Sequence, residues 1–111
     1  GAMLTEYDPA TGERADCLSW WEQNEAVVGF LNAWELTGEE KFLDASLSCF
    51  GFIERHFIDH EGGGWHPMLT LDGKPILTIP KGDGYICPYH NSRMSMEIIE
   101  RYRRHRAAGG A

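Results

Sequence analysis

Near the C-terminus, the run Cys87-Pro-Tyr-His-Asn-Ser-Arg93 places an imidazole and a guanidinium three residues apart. On a helix that spacing puts His90 and Arg93 on one face. Imidazole titrates close enough to neutrality to move a proton in either direction. A guanidinium beside it can hold an oxyanion as it develops. The same residues also suit a plainer role, a hydrogen-bonded histidine near the start of a helix. A second run, Trp20-Trp-Glu-Gln-Asn-Glu25, packs two indoles, an amide (Gln23) and two carboxylates into six residues. Helical spacing puts Trp21 and Glu25 on one face, and Glu22 and Glu25 three apart. Aromatic faces stack on the C–H faces of sugar rings, and carboxylates accept hydrogen bonds from hydroxyls. A core helix with buried tryptophans and solvated acids would read the same way. Trp65 and His66 follow a glycine run, on a loop where a substrate could lie. His56 and His60 are four apart. Without a third ligand nearby they read as surface histidines rather than a metal site.

These runs need helices to aim them. Trp20, Val27, Leu31 and Trp34 form one stripe of a helix over about Ser19–Leu36, widened by Trp21, Val28 and Ala33. Ser19 or Asp16 is placed to cap it, and Gly38 to end it. Thr37 and Glu40 have capping-box spacing, opening a second helix to about Ile58. Its apolar side is expected to be Phe42, Leu43, Ala45, Leu47, Phe50, Ile53 and Phe57. The short connection predicts an αα-hairpin. Gly62-Gly-Gly64 ends the second helix. Around Asp72-Gly73 a β-hairpin or structured loop is expected, then loop to Pro88. A last helix runs from Tyr89 to about His105, with Met94, Ile98, Ile99 and Tyr102 at helical spacing. The stretch Leu4–Asp16 carries turn residues and reads as a lead-in loop, or a hairpin at best.

The chain has 111 residues, 42% of them hydrophobic and 24% charged, as for a single modest domain. Gly1-Ala2 reads as a remnant of tag cleavage before Met3, leaving 3–111 as one partial domain. The net charge of −7 disfavours a nucleic-acid partner. The basic run Arg101-Tyr-Arg-Arg-His-Arg106 reads as a solvated helix C-terminus that complements the helix dipole, with phosphate contact the sharper alternative. No segment approaches the ~18 apolar residues of a membrane span, and no signal peptide is evident. Cys17, Cys49 and Cys87 are widely spaced and odd in number. They suggest reduced thiols and a cytoplasmic location, not a zinc or disulfide framework.

Taken together the runs resemble the N-acylglucosamine 2-epimerase and cellobiose 2-epimerase family. The resemblance rests on Trp20-Trp-Glu-Gln-Asn-Glu25, Val28-Gly-Phe-Leu-Asn-Ala33, Glu35-Leu-Thr-Gly38, Lys41-Phe-Leu43, Phe52-Ile-Glu-Arg-His-Phe57, Asp72-Gly-Lys-Pro75 and Pro88-Tyr-His-Asn-Ser-Arg93, in that order. It covers about residues 17–102, the C-terminal part of such a protein. It implies a mainly α chain, an αα-hairpin plus a further helix with a short β-hairpin or loop insertion, as a segment of an (α/α)6 barrel. It further implies proton transfer at C2 of a reducing-end sugar through a cis-enediolate, one histidine removing the proton and another returning it to the opposite face. His90 would be one of that pair, with Arg93 and Glu25 contacting substrate or orienting a histidine. Trp20, Trp21, Gln23, Trp65 and Tyr89 would bind the sugar. No metal and no redox cofactor are implied. Tyr85 stands where the family commonly has tryptophan.

The barrel needs ~12 helices, and only three are expected here. The chain alone is therefore expected to be an inactive part of an epimerase. Its exposed barrel-facing side would drive formation of a homo-oligomer. Copies of His90 meeting across an axis would be a second possibility. The reading from a different class is a non-catalytic saccharide-binding or interaction module.

Overall fold

In the computed structural model, which describes residues 1–109, β1 (Cys17–Ser19) leads directly into α1 (Trp20–Thr37). Then come α2 (Glu40–Phe52), a π-helical turn (Ile53–Phe57), β2 (Met68–Thr70) and α3 (Tyr89–Gly109). The mainly helical segment follows the expected order. Its α1–α2 pair is the αα-hairpin, closed by Gly38 in the left-handed region at φ 71°, whose N–H donates to the Trp34 carbonyl. That conformation costs glycine little, which is why the helix stops there.

The capping box does not form. Thr37 belongs to α1, its hydroxyl donating to the Ala33 carbonyl at 2.7 Å, and α2 starts at Glu40 without a side-chain cap. The second helix also ends differently from the expected single run to Ile58. Its last turn widens so that the Ile58 N–H donates to the Ile53 carbonyl. Ile53 and Phe57 are both fully buried by that turn.

Of the apolar side expected for the second helix, Ile53 and Phe57 are buried and Phe42, Leu43 and Ala45 half-buried, but two of its large side chains turn outward. Leu47 is 59% exposed and Phe50 38%, while Ser46 and Cys49 are buried. Small residues let the two backbones approach, and the Ser46 hydroxyl donates to the Val27 carbonyl at 2.9 Å. Burying a hydroxyl is tolerable only when it is bonded in this way.

β1 and β2 pair antiparallel, Leu18 opposite Leu69. The expected hairpin is present in reduced form, a Leu69–Pro75 bridge around the turn at Gly73 (φ 84°). The longer pairing joins β2 to Cys17–Ser19, at the junction between the stretch read as a lead-in and the helix expected from Ser19. The N-terminal stretch makes a small hairpin, with Tyr7 bridged to Arg14. At the N-terminus Ala2 lies against the core, and the backbone of the exposed Met3 is held by its N–H, which donates to Gln23 Oε1 at 2.7 Å.

Leu18, Val27, Cys49, Ile53, Phe57, Leu69 and Met94 form the core, drawing on both strands, the helix pair and α3. Along the α1–α3 seam, Glu25 meets His90 and Arg93, whereas Glu35 meets Arg101 and His105. The residue numbers rise together, so the two helices run parallel. The N-terminal turns of both therefore lie at one end of the molecule, where the two chemical runs meet.

Candidate active site

β1 fixes where α1 starts: the Trp20 N–H donates to the Pro67 carbonyl at 3.0 Å, beside the β1–β2 pair. Glu25, one turn in from that end, then faces the first turn of α3. Glu25 Oε1 receives His90 Nδ1 at 2.7 Å and also pairs with Arg93 Nη2. Burial pulls the Glu25 carboxyl upward, but hydrogen bonds from Arg93 and His90 outweigh it and hold the group below its ordinary range. The same contacts raise the Arg93 guanidinium, through its hydrogen bond to Glu25 first. At neutral pH the carboxylate is thus ionised and can only accept. Nδ1 must carry the hydrogen between them, which leaves Nε2 as the basic nitrogen of the neutral ring. Arg93 Nη1 donates to the Tyr89 hydroxyl at 2.7 Å, so that hydroxyl keeps its own proton to give.

Aromatic rings surround this trio. Trp21 lies 5.7 Å from the His90 ring, Tyr89 5.0 Å and Trp20 6.3 Å, the last two edge to face. Trp21 and Tyr89 are exposed, at 42% and 57%, as surfaces open to a ligand must be.

Beside the trio lies a cleft of about 610 Å³ with Trp20, Trp65 and Lys81 in its walls, along with Asn91, Ser92 and Met96 of α3. Trp20 belongs to both places, lining the cleft and touching His90. His90, Glu25 and Arg93 do not line the cleft. The Asn91 Oδ1 is buried there without a hydrogen-bond partner, as are Asn24 Oδ1 and both oxygens of Glu22 in α1.

Seven of the eight sequence-predicted residues are thereby gathered at one end of the α1–α3 seam, either on the trio or in the cleft. Gln23 is different. It is fully buried, and its amide nitrogen donates to the Met3 and Ser19 carbonyls. It ties the N-terminal segment to α1 and has no free N–H for a ligand. Tyr85 is 92% exposed and lines no part of the cleft. His56 lies against Phe52, and His60 meets the Glu54 carbonyl. Sequence reasoning did not single out Lys81, Ser92 or Met96. Serines and a methionine on a helix face carry no chemical signature, and Lys81 sits in a stretch read only as loop.

A helix pair joined to a parallel third helix, with a carboxylate-bonded histidine among aromatic rings at one end, has the arrangement of a segment of an (α/α) barrel. The family model for N-acylglucosamine 2-epimerase (GlcNAc 2-epimerase) matches residues 1–92, and the chain belongs to that family. It is 46% identical over 102 residues to a cellobiose 2-epimerase of Ruminococcus albus, covering 91% of this chain and 26% of the relative. An N-acylglucosamine 2-epimerase of Bos taurus is 35% identical over 63 residues, 57% of this chain and 15% of that protein. Among solved structures, a sugar epimerase from a ruminal bacterium superposes with a TM-score of 0.83 at 40% identity, covering 90% of this chain and 25% of the other. A D-mannose isomerase shares the fold at a TM-score of 0.80 and 21% identity, over 91% of this chain and 26% of the other. The chain thus spans about a quarter of the length of the relatives it matches. No helix among the described residues is long and apolar enough to cross a membrane.

Proposed function

We propose that this segment carries one base of a two-base site for proton transfer at C2 of a reducing-end sugar, and that a single copy is inactive. The observation that carries the reading is the His90 Nδ1–Glu25 contact of 2.7 Å, which leaves Nε2 free to take a proton. In the open-chain sugar, Nε2 would accept the C2 proton as the C–H electron pair moves into a C1–C2 double bond. The carbonyl oxygen at C1 would then carry the charge as an enediolate, against Arg93 or the Tyr89 hydroxyl. Return of a proton to the opposite face of C2 would complete epimerisation. Trp20, Trp21 and Trp65 would hold the sugar ring, and Gln23 would support α1 from behind.

What is missing supports inactivity. Of the five histidines, each of the other four has a different neighbourhood: Phe52, the Glu54 carbonyl, Asp59, and Trp34 with Glu35. None of them stands opposite His90 as a second base. Exposed Met96, Ile99 and Tyr102 on α3, with Leu36 and Leu47 on the helix pair, favour self-association. The reading from a different class, a saccharide-binding module without turnover, is favoured by the two-tryptophan cleft standing apart from the histidine.

The test is light scattering on the eluted species, followed by solvent-deuterium exchange at C2 of mannose and cellobiose. A self-associated species without exchange is expected. An oligomer that exchanges, and stops on His90→Asn, would show that copies rebuild the site. Saccharide binding unchanged in His90→Asn, with no exchange from any species, would replace the two-base reading by the binding module.

A further inference from the structure

One wall of the cleft belongs to residues 81–88, which also lead into the helix bearing His90. That segment has internal structure: Asp83 Oδ1 accepts the N–H groups of Tyr85 and Ile86 at 2.7 and 2.6 Å. It has little else to hold it in place. Among the described residues, the hydrogen bonds that tie 81–87 to any other segment both come from Lys81 Nζ. One goes to Asp59 Oδ2 at 2.5 Å and the other to the Gly63 carbonyl at 2.6 Å.

The socket is built for that ammonium. Asp59 is held in place from its other oxygen, which accepts the N–H groups of Glu61 and Gly62 at 3.0 and 2.8 Å. Hydrogen bonding from Lys81 first, then from Gly62, holds the Asp59 carboxyl far below its ordinary range. The glycine run is explained by the same contact. A Cβ at Gly62 would meet Asp59 Oδ2 at 2.6 Å and Lys81 Nζ at 3.4 Å. Gly63 and Gly64 hold φ of 77° and 72°, a region that residues with a side chain rarely adopt. Each of the three glycines is therefore required, by space or by backbone, for the loop to wrap the lysine. Trp65, the opposing wall of the cleft, follows immediately.

We propose that Lys81 and Asp59 are positioning residues: their ion pair latches the 82–88 wall against the Trp65 loop and so sets the shape and access of the cleft. The ligand consequence rests on reading the cleft as a saccharide site, whereas the latch does not.

Backbone order parameters of the ¹⁵N-labelled chain test the latch directly. In Lys81→Met, values at Gly82, Gly84, Tyr85 and Ile86 should fall from about 0.85 toward 0.6 or below, with α1 and α2 unchanged. Lys81→Arg, which keeps the cation, should restore them. Order retained in Lys81→Met overturns the latch. Order lost equally in Lys81→Arg also overturns it, because the fit of the lysine stem rather than its charge would then hold the wall. Mannose is then titrated while the indole signals of Trp20 and Trp65 are followed. Affinity should drop about tenfold in Lys81→Met and recover in Lys81→Arg. A wild-type chain that shows no shift removes the saccharide reading, and the latch is judged on order alone. A loosened wall with undiminished affinity removes the positioning role.

Discussion

At the N-terminal end of α1, Glu25 receives one histidine and one arginine of α3. About 15 Å further along, Glu35 receives an arginine and a histidine of the same helix, Arg101 and His105. The two clusters use the same three residue types to join the same two helices, yet they are built for different work. Arg101 has only 11% of its side chain exposed, and its donors go to Glu35, to Glu97 at 3.0 Å and to Asn32 at 2.5 Å. Arg93 is 39% exposed, and beside it the His90 ring lies against the exposed rings of Trp21 and Tyr89. In the far cluster the donors are consumed by neighbours from both helices. In the near cluster a ring nitrogen and a phenolic proton remain free. Residue identity does not distinguish the two clusters, and the number of groups left without a partner does.

The contrast is sharpest in stability. Arg101→Ala should cost about 2 kcal/mol, because it removes a side chain only 11% exposed from the seam and leaves Glu35, 25% exposed, without its guanidinium, read as a lowered midpoint in urea unfolding. Glu25→Ala should cost under about 1 kcal/mol, as expected of a pair more than a third open to water. Glu25→Ala should nonetheless disturb chemistry that Arg101→Ala leaves alone. Without the carboxylate, the Nδ1-protonated tautomer of His90 loses its partner and the ring populates both tautomers, visible in the imidazole ¹⁵N shifts. A single retained tautomer in Glu25→Ala would show that something other than Glu25 orients the ring.

Acid should act on the near cluster through Glu25. Glu25 is held below its ordinary 4.5, so it contributes stability that is present above that value and is lost as pH falls through the folded one. Arg93→Met removes the stronger of its two donors and should move the titration of the Glu25 carboxyl upward, toward its ordinary value, followed by its ¹³C shift. A titration that does not move assigns the depression to His90 alone.

The near cluster was legible in the sequence because its residues come in tight runs. His90 and Arg93 share a helix turn, and Trp20 to Glu25 span less than two. The far cluster was not. Arg101 reads as the start of a solvated basic tail, and nothing in its own neighbourhood says that Glu35 and Asn32, over sixty positions away, will enclose it. The same limit applies to the fold. Apolar spacing located all three helices, but it chose Leu47 and Phe50 for the packed face of α2, where Ser46 and Cys49 lie instead. Periodicity weighs size and hydrophobicity, whereas two backbones in close approach select small side chains. Strand β1 was hidden for a related reason. Three residues are too short to show alternation, and they pair with a partner some fifty positions further on.

The smallest effect is expected at the far histidine. His105 has 54% of its side chain exposed and sits 3.2 Å from Glu35, which Arg101 already satisfies. Its ring also lies 5.3 Å from that of Trp34, a contact available to water on one side. His105→Asn should change unfolding free energy by no more than about 0.5 kcal/mol, read from urea unfolding. The outcome bears on the comparison itself. If the loss exceeds that, His105 is helping to fasten the helices. If the loss is negligible, histidine is idle in the far cluster, and Arg101 is what holds that end of the seam together.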